Sequence, residues 1–239
     1  MKRYSLLFAV CVIAVFELSA QAPAAAEKDF ESPEAAIAHF IGGLASNDFH
    51  KALQACAIGS QAAAFDFKKL ARRLDAIVWT SMLAPSNHAL YVRLNEAELI
   101  SRIARQVKFF CFSLLSEEVD FFAMVPQPSD ERLDGFLKAS NPARLSTLKI
   151  VKIGAPAVLK QTKIRNTLME SAKSYGAQDS TERLVLLEFE QKTFGEGFQL
   201  FKYGRAWRIN SLSAPILNTA ASGAAGRVSA EQFEAAIAE

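Results

Sequence analysis

The sequence holds few of the residues on which enzymes most often build their chemistry. Its 239 residues include only three histidines, three cysteines and two tryptophans. The segment "AIGSQ" around Ser60 lacks the second glycine of a nucleophile elbow. No group of His, Cys, Asp or Glu has the spacing of a zinc or EF-hand site. We therefore predict no catalytic residue, no metal site and no cofactor, and an enzyme is the less favoured class.

An excess of one charge is also lacking. Lys and Arg number 27 and Asp and Glu number 25, which gives a net charge of +2. Nucleic-acid binding needs a concentrated basic surface, so no nucleic-acid partner is predicted. The charge is nevertheless uneven, because 66–110 carries +4 and 116–134 carries −5. The structural interpretation is that the two segments contact each other or form solvated helix faces. The functional interpretation is that the basic segment contacts anionic lipid headgroups or an acidic partner.

The longest uninterrupted apolar run is "LLFAVCVIAVF", which follows Lys2 and Arg3. It is too short to span a bilayer comfortably, and small residues follow it up to Ala20 and Ala26. This pattern is typical of a cleaved secretory signal, with an uncleaved anchor as the alternative. We predict a signal peptide over 1–26, no transmembrane segment after cleavage, and a bacterial periplasmic or secreted protein. The chain has no Asn-x-Ser/Thr sequon, which agrees with a bacterial origin.

Signal cleavage would leave two cysteines, Cys56 and Cys111. In an exported protein these two residues are candidates for a disulfide. Because cysteine is also a common small core residue, two buried free thiols are the alternative.

The N-terminal half has the period of amphipathic helices. Ser32 and Pro33 are a helix N-cap and first residue. The apolar stripe that follows consists of Ile37, Phe40, Ile41 and Leu44. A shorter helix follows from Phe49, and 61–82 is again helical. The apolar side of that third segment comprises Phe67, Leu70, Leu74, Ile77 and Val78. Asn95 is expected to cap a long helix that ends near Leu114.

The last third changes to the period of strands. We predict strands at 119–125 and 148–154, and the strongest one at 182–192. In this last strand, one face carries Val185, Leu187 and Phe189, and the other Glu188 and Glu190. "FGEGFQLFKYGRAWRINSLS" adds two strands joined at "YGRA", so an antiparallel meander is expected. Linker composition follows, and Ser229 and Gln232 form the capping box of a terminal helix that we expect to be frayed.

Two stretches resemble a known family. "ESPEAAIAHFIGGLASNDFHKALQAC" is similar to the opening of secreted bacterial domains in the nuclear transport factor 2-like superfamily. "FQLFKYGRAWRINSL" resembles their closing hairpin, with Trp207 before Ile209 and Leu212. The resemblance implies an α+β fold with N-terminal helices on a curved antiparallel sheet. The domain would span 28–215 with a helical insertion at about 61–115, and 216–239 would be a flexible tail.

The resemblance leaves the activity open, because a fold does not determine a function. The superfamily includes isomerase-like and cyclase-like enzymes with an Asp or Glu base in an apolar cavity, and many binding or accessory modules. Since the faces of Glu188 and Glu190 cannot be assigned, no catalytic residue is transferred. We predict an exported, non-enzymatic binding or accessory module of the cell envelope. It would bind a small apolar molecule or a partner protein, and such domains often form homodimers through the open face of the sheet.

Overall fold

The computed structural model describes residues 26–116, 127–212 and 223–237. Residues 1–25 of the predicted signal peptide, the strand expected at 119–125 and residues 216–222 of the predicted tail lie outside the described residues. Within the described ranges, no helix combines the length and the apolar character needed to cross a membrane.

The described residues form eight α-helices and five β-strands. The helices are α1 (Pro33–Ala45), α2 (Phe49–Leu53), α3 (Gly59–Ala64), α4 (Phe67–Leu74), α5 (Ala89–Leu115), α6 (Asp130–Ala139), α7 (Thr162–Ser174) and α8 (Ala230–Ile237). The strands are β1 (Lys149–Gly154), β2 (Asp179–Phe189), β3 (Lys192–Tyr203), β4 (Ala206–Ser211) and β5 (Gly226–Arg227). Two 3-10 helices lie at Pro142–Thr147 and Ala157–Lys160.

The sheet confirms the expected meander. Its order is β1-β2-β3-β4, every pairing is antiparallel, and β5 adds to β3 beside Phe194 and Gly195. The hairpin between β3 and β4 turns at "YGRA", where Gly204 takes a φ of 61° that favours glycine. The hairpin between β2 and β3 turns on Glu190 and Gln191, whose φ values of 47° and 64° are unusual for residues other than glycine.

The main core lies between α1, α5 and one face of the sheet. Ser32 accepts a hydrogen bond from Ala35 N–H at 3.1 Å and so caps α1, as its sequence predicts. Four residues of the predicted stripe, Ile37, Phe40, Ile41 and Leu44, are buried. From the sheet, the alternating residues Val185, Leu187, Phe189, Phe194, Phe198 and Leu200 join the same cluster. The predicted fold class is thus confirmed: helices pack on a curved antiparallel sheet.

The segment predicted as one helix over 61–82 is broken. Asp66 accepts a hydrogen bond from Lys69 N–H and starts α4 as a new helix. α4 then ends at Asp75, which takes a left-handed φ of 50°. Ile77 and Val78 therefore lie in an exposed loop after the helix and do not extend its buried side.

The start of the long helix also differs from the prediction. α5 begins at Ala89, where the ring of His88 accepts from Leu90 N–H at 3.1 Å. Asn95 is buried inside the helix, and its side chain exchanges two hydrogen bonds of 2.8 Å with the backbone of Ala84. The sequence suggests a cap because the side chain of Asn can hydrogen-bond to the backbone at a helix end, and the same side chain can hydrogen-bond to the backbone of a loop.

The opposite face of the sheet is covered by the chain itself. α8 was expected to be frayed, but its Phe233 is fully buried against Leu184 and Leu186. The Ser229–Gln232 capping box forms, with N–H donors at 3.2 and 2.8 Å from the side-chain oxygens. α7 covers a second area, where Tyr175 stacks on Phe201 with ring centroids 5.8 Å apart.

Residues just after the predicted cleavage site belong to the folded part. The Phe30 carbonyl accepts a hydrogen bond from Trp207 N–H at 2.8 Å, at the edge of β4. Arg208 of the same strand pairs with Glu27 at 3.0 Å and with Asp29 at 2.5 Å.

Candidate functional site

The space between the helices and the sheet, where this fold could hold a ligand, is filled by aromatic rings. Phe40 of α1 packs edge-on against Phe198 of β3, with ring centroids 5.9 Å apart. Phe189 and Phe194 form a second edge-on pair at 6.5 Å, and Phe110 of α5 is fully buried. The interior of the domain is therefore a packed core.

One carboxyl lies in this core. Glu196 of β3 is fully buried, and strand alternation places it on the same face as Phe194 and Phe198. One carboxyl oxygen accepts a hydrogen bond from Gly197 N–H at 3.1 Å, and Oε2 has no hydrogen-bond partner in the described part of the chain. Burial raises the pKa of Glu196 well above its usual range, and the Gly197 hydrogen bond only partly opposes this. The neutral acid is thus the favoured form.

Glu188 and Glu190 are the carboxyls of interest named from the sequence, and Glu196 is not among them. Glu188 is half-buried and lies on the strand face opposite Val185 and Leu187. Glu190 lies in the exposed turn after β2, where Arg144 donates two hydrogen bonds to it at 2.8 and 2.6 Å. The signal for Glu196 was present: in "FGEGF", alternation alone puts the glutamate on the face of both phenylalanines.

An open apolar groove lies beside α5, at the margin of the core. Its volume is about 310 Å³, and it is bounded by the α1–α2 turn, α5 and the 3-10 helix Pro142–Thr147. Its lining residues are Leu44, Asn47, Asp48, Phe49, Ala104, Val107, Lys108, Cys111, Pro142 and Leu145. We call this site the groove. Its volume is at the small end of the range of ligand pockets, which are mostly apolar with a few polar groups.

The polar groups of the groove are at its edges. Asp48 is engaged as the N-cap of α2, where it accepts from Lys51 N–H at 2.8 Å. The ammonium group of Lys108 lies 5.2 Å from the centre of the Phe109 ring. Burial raises the pKa of the Cys111 thiol to about 11, so the thiol is neutral at physiological pH. The groove therefore offers an apolar floor with one cation, Lys108, and one carboxylate, Asp48, in its lining.

Two further clefts are more polar. One, of about 820 Å³, lies at the end of α5 around Arg144 and Glu190. Its lining includes Ser116 and Ser129, on either side of residues 117–126, which the structure does not describe. The other, of about 620 Å³, lies between Arg73 of α4 and residues of α7. Neither these two clefts nor the groove has Glu196 in its lining.

The two candidate disulfide residues lie in different surroundings. Cys56 is buried at the edge of the sheet, where its backbone forms an isolated β-bridge with Ile209 of β4. Burial raises the pKa of its thiol. Cys111 lines the groove on α5. Both are free thiols in this structure. Thiol labelling of the purified protein tests whether the two residues pair, and we expect both thiols to be free.

The described residues contain no group of three or more His, Cys, Asp or Glu side chains placed to hold a metal ion. A half-buried cation, Arg102 of α5, serves the fold instead. It donates to the side-chain and backbone oxygens of Asn210 at 3.2 and 3.3 Å and so ties β4 to α5. Arg102 is therefore not part of an exposed basic face.

Comparison with known proteins gives the fold. No family model matches the chain, and no curated protein matches it. Among solved structures, the chain is similar to a cystatin-like protein from Ruminococcus gnavus ATCC 29149, with a TM-score of 0.56 and 18% sequence identity. The match covers 89% of this chain and 44% of the other, so this chain spans less than half of that protein's length. At this identity the similarity shows the fold alone, which is the cystatin-like α+β fold.

Proposed function

We propose that the protein is an exported, non-enzymatic binding module of the cell envelope that takes a small apolar molecule in the groove. The observation that carries the proposal is the groove itself: about 310 Å³ of open, mainly apolar space beside a domain interior that is already filled. Most apolar surface in this domain is covered by its own chain, so an apolar concavity left open is a natural binding site.

The groove also indicates what kind of molecule would fit. Leu44, Phe49 and Val107 supply apolar contact, and each apolar group that leaves water there contributes about 25 cal/mol per Å². Lys108 and Asp48, which both line the groove, favour a ligand with a strongly polar end. We therefore expect a small amphipathic molecule whose apolar part contacts α5.

A groove-filling variant tests this proposal. Ala104→Trp places a large ring in the groove, whereas Ala97→Trp adds the same ring to an exposed position of α5, two turns away. Titration with anilinonaphthalene sulfonate, an amphipathic dye that fluoresces in apolar sites, should give a saturable signal with the parent protein. We expect Ala104→Trp to weaken dye binding at least tenfold and Ala97→Trp to leave it unchanged. Equal binding by both variants would refute the groove as the site.

A second candidate function is an isomerase-type or cyclase-type enzyme, and Glu196 is the observation that favours it. When it is ionised, the carboxylate of Glu196 could remove a proton beside a carbonyl group and then, as the acid, return that proton to another carbon; its raised pKa makes it a stronger base. A substrate would first have to open the core around Glu196, since none of the three clefts includes it. Conversion of a β,γ-unsaturated ketone to its conjugated isomer, lost in Glu196→Gln, would favour the enzyme over the binding module.

A further inference from the structure

A run of consecutive exposed residues, 72–81, follows the buried part of α4. It contains four large apolar side chains. Their exposed fractions are 46% for Leu74, 49% for Ile77, 40% for Val78 and 80% for Trp79. Single apolar residues are common on protein surfaces, but such a cluster marks a site of interaction.

The first turns of α5 contribute further exposed apolar side chains: Leu90, Tyr91 and Leu94. Short links connect the two sets. Met82 N–H donates to the Val78 carbonyl at 3.1 Å, and Ala84, two residues later, is held by Asn95 of α5. The loop that carries Trp79 therefore lies beside the start of α5. We call these seven residues, Leu74, Ile77, Val78, Trp79, Leu90, Tyr91 and Leu94, the docking surface.

Cations surround the docking surface. Between Phe67 and Leu94 the net charge is +4, with Asp75 as the acidic residue, and Arg93 is paired with Glu96 at 2.8 Å. The cations of this segment are Lys68, Lys69, Arg72, Arg73 and Arg93. Arg72 and Arg73 are exposed and take part in none of the ion pairs formed among the described residues. Arg73 also lines the cleft between α4 and α7, together with Lys163.

We propose that the docking surface binds the surface of an anionic phospholipid bilayer. Trp79 and its apolar neighbours would enter the interfacial region, and the cations of α4 would lie against headgroup phosphates. Membrane-surface segments combine these two features, an apolar face with tryptophan and a margin of Lys and Arg. A second copy of this chain fits less well, because the exposed cations of α4 in the two copies would repel each other. The groove shares no residue with the docking surface, so the two proposals stand apart.

Vesicle flotation tests the charge component. The protein, purified from cells that express the whole chain, is mixed with vesicles of phosphatidylethanolamine and phosphatidylglycerol, or of phosphatidylcholine alone. We expect it to float with the anionic vesicles only, and less so at high salt. Arg72→Gln with Arg73→Gln should weaken binding about thirtyfold, at about 1 kcal/mol per cation. Arg132→Gln with Lys138→Gln removes two exposed cations from α6 and should change binding less than twofold.

Insertion of Trp79 is tested by fluorescence quenching with bromine-labelled acyl chains. The parent protein should lose part of its tryptophan emission on binding, and Trp79→Phe should abolish that quenching although Trp207 remains. Trp79→Ala should weaken binding about tenfold, whereas Leu137→Ala, at an exposed apolar residue of α6, should not. Absence of flotation would overturn the proposal, as would flotation that all these variants leave unchanged. Self-association that Trp79→Ala abolishes would assign the surface to a second copy and also overturn it.

Discussion

The buried carboxyl of Glu196 makes the stability of this protein depend on pH in a defined direction. In the unfolded chain a glutamate ionises near pH 4.3, but burial raises the pKa of Glu196 well above that in the folded state. Folding above pH 4.3 therefore takes up a proton. Because the folded state binds more protons than the unfolded state, stability falls as pH rises, until the folded-state pKa is reached.

Glu196→Gln removes this proton uptake while keeping the shape of the side chain. The glutamine oxygen can still accept a hydrogen bond from Gly197 N–H. The glutamine NH2 group takes the place of the protonated Oε2 of the neutral glutamic acid. At pH 5 the two proteins should differ by no more than about 1 kcal/mol. Between pH 5 and the folded-state pKa of Glu196, the variant should gain on the parent by up to about 1.4 kcal/mol per pH unit, which is the linkage slope for one proton.

Urea unfolding at pH 5, 6, 7 and 8, extrapolated to water, measures this difference. Glu188→Gln, on the neighbouring strand and half-buried, controls for the loss of one carboxyl from the sheet. The lowered pKa values of Glu34, beside Arg183, and Glu190, beside Arg144, act below this range and are common to both proteins. A stability difference that stays constant from pH 5 to pH 7 would refute the burial of an unpaired carboxyl at this position.

Three other predictions test the fold around the sites. Gln191→Gly should raise the free energy of unfolding by about 1 kcal/mol, because glycine takes the left-handed turn conformation without strain; an unchanged or lower melting temperature would contradict this. Gly43→Ala should destabilise the protein by about 1–3 kcal/mol in urea unfolding, since its Cβ would lie 2.6 Å from the Ala52 nitrogen; a neutral effect would show that α1 and α2 are further apart. Thiol labelling after denaturation without reductant should modify both Cys56 and Cys111, and labelling of neither would establish the disulfide.

Much of the fold follows from local signals. Ser32 and Pro33 mark the start of α1, and the stripe from Ile37 to Leu44 defines its buried side. The alternation of Val185, Leu187 and Phe189 assigns one face of β2 to the core. These signals succeed because caps, turns and periodicity depend on residues close together in the chain.

Other features depend on contacts between distant residues. The side chain of Asn95 looks like a cap in the sequence, yet it binds the backbone of Ala84 inside the turn before α5. Ile77 and Val78 continue the helical period of α4, but the left-handed Asp75 ends that helix before them. Phe233 is one of two large apolar residues in its helix, and its fully buried ring packs α8 on the sheet.

The candidate sites were harder to predict than the fold. The groove is assembled from three segments that are far apart in sequence, around Leu44, Val107 and Leu145. No pattern within any one segment indicates that the three leave a space between them. Glu196, in contrast, could have been assigned to the core from the alternation of β3 alone.

Native mass spectrometry of the protein purified from the organism that produces it tests the central claim most directly. We expect a small adduct that is lost on denaturation and absent from Ala104→Trp, in which the groove is filled. A protein that carries no adduct, or an adduct that persists in Ala104→Trp, would contradict ligand binding in the groove.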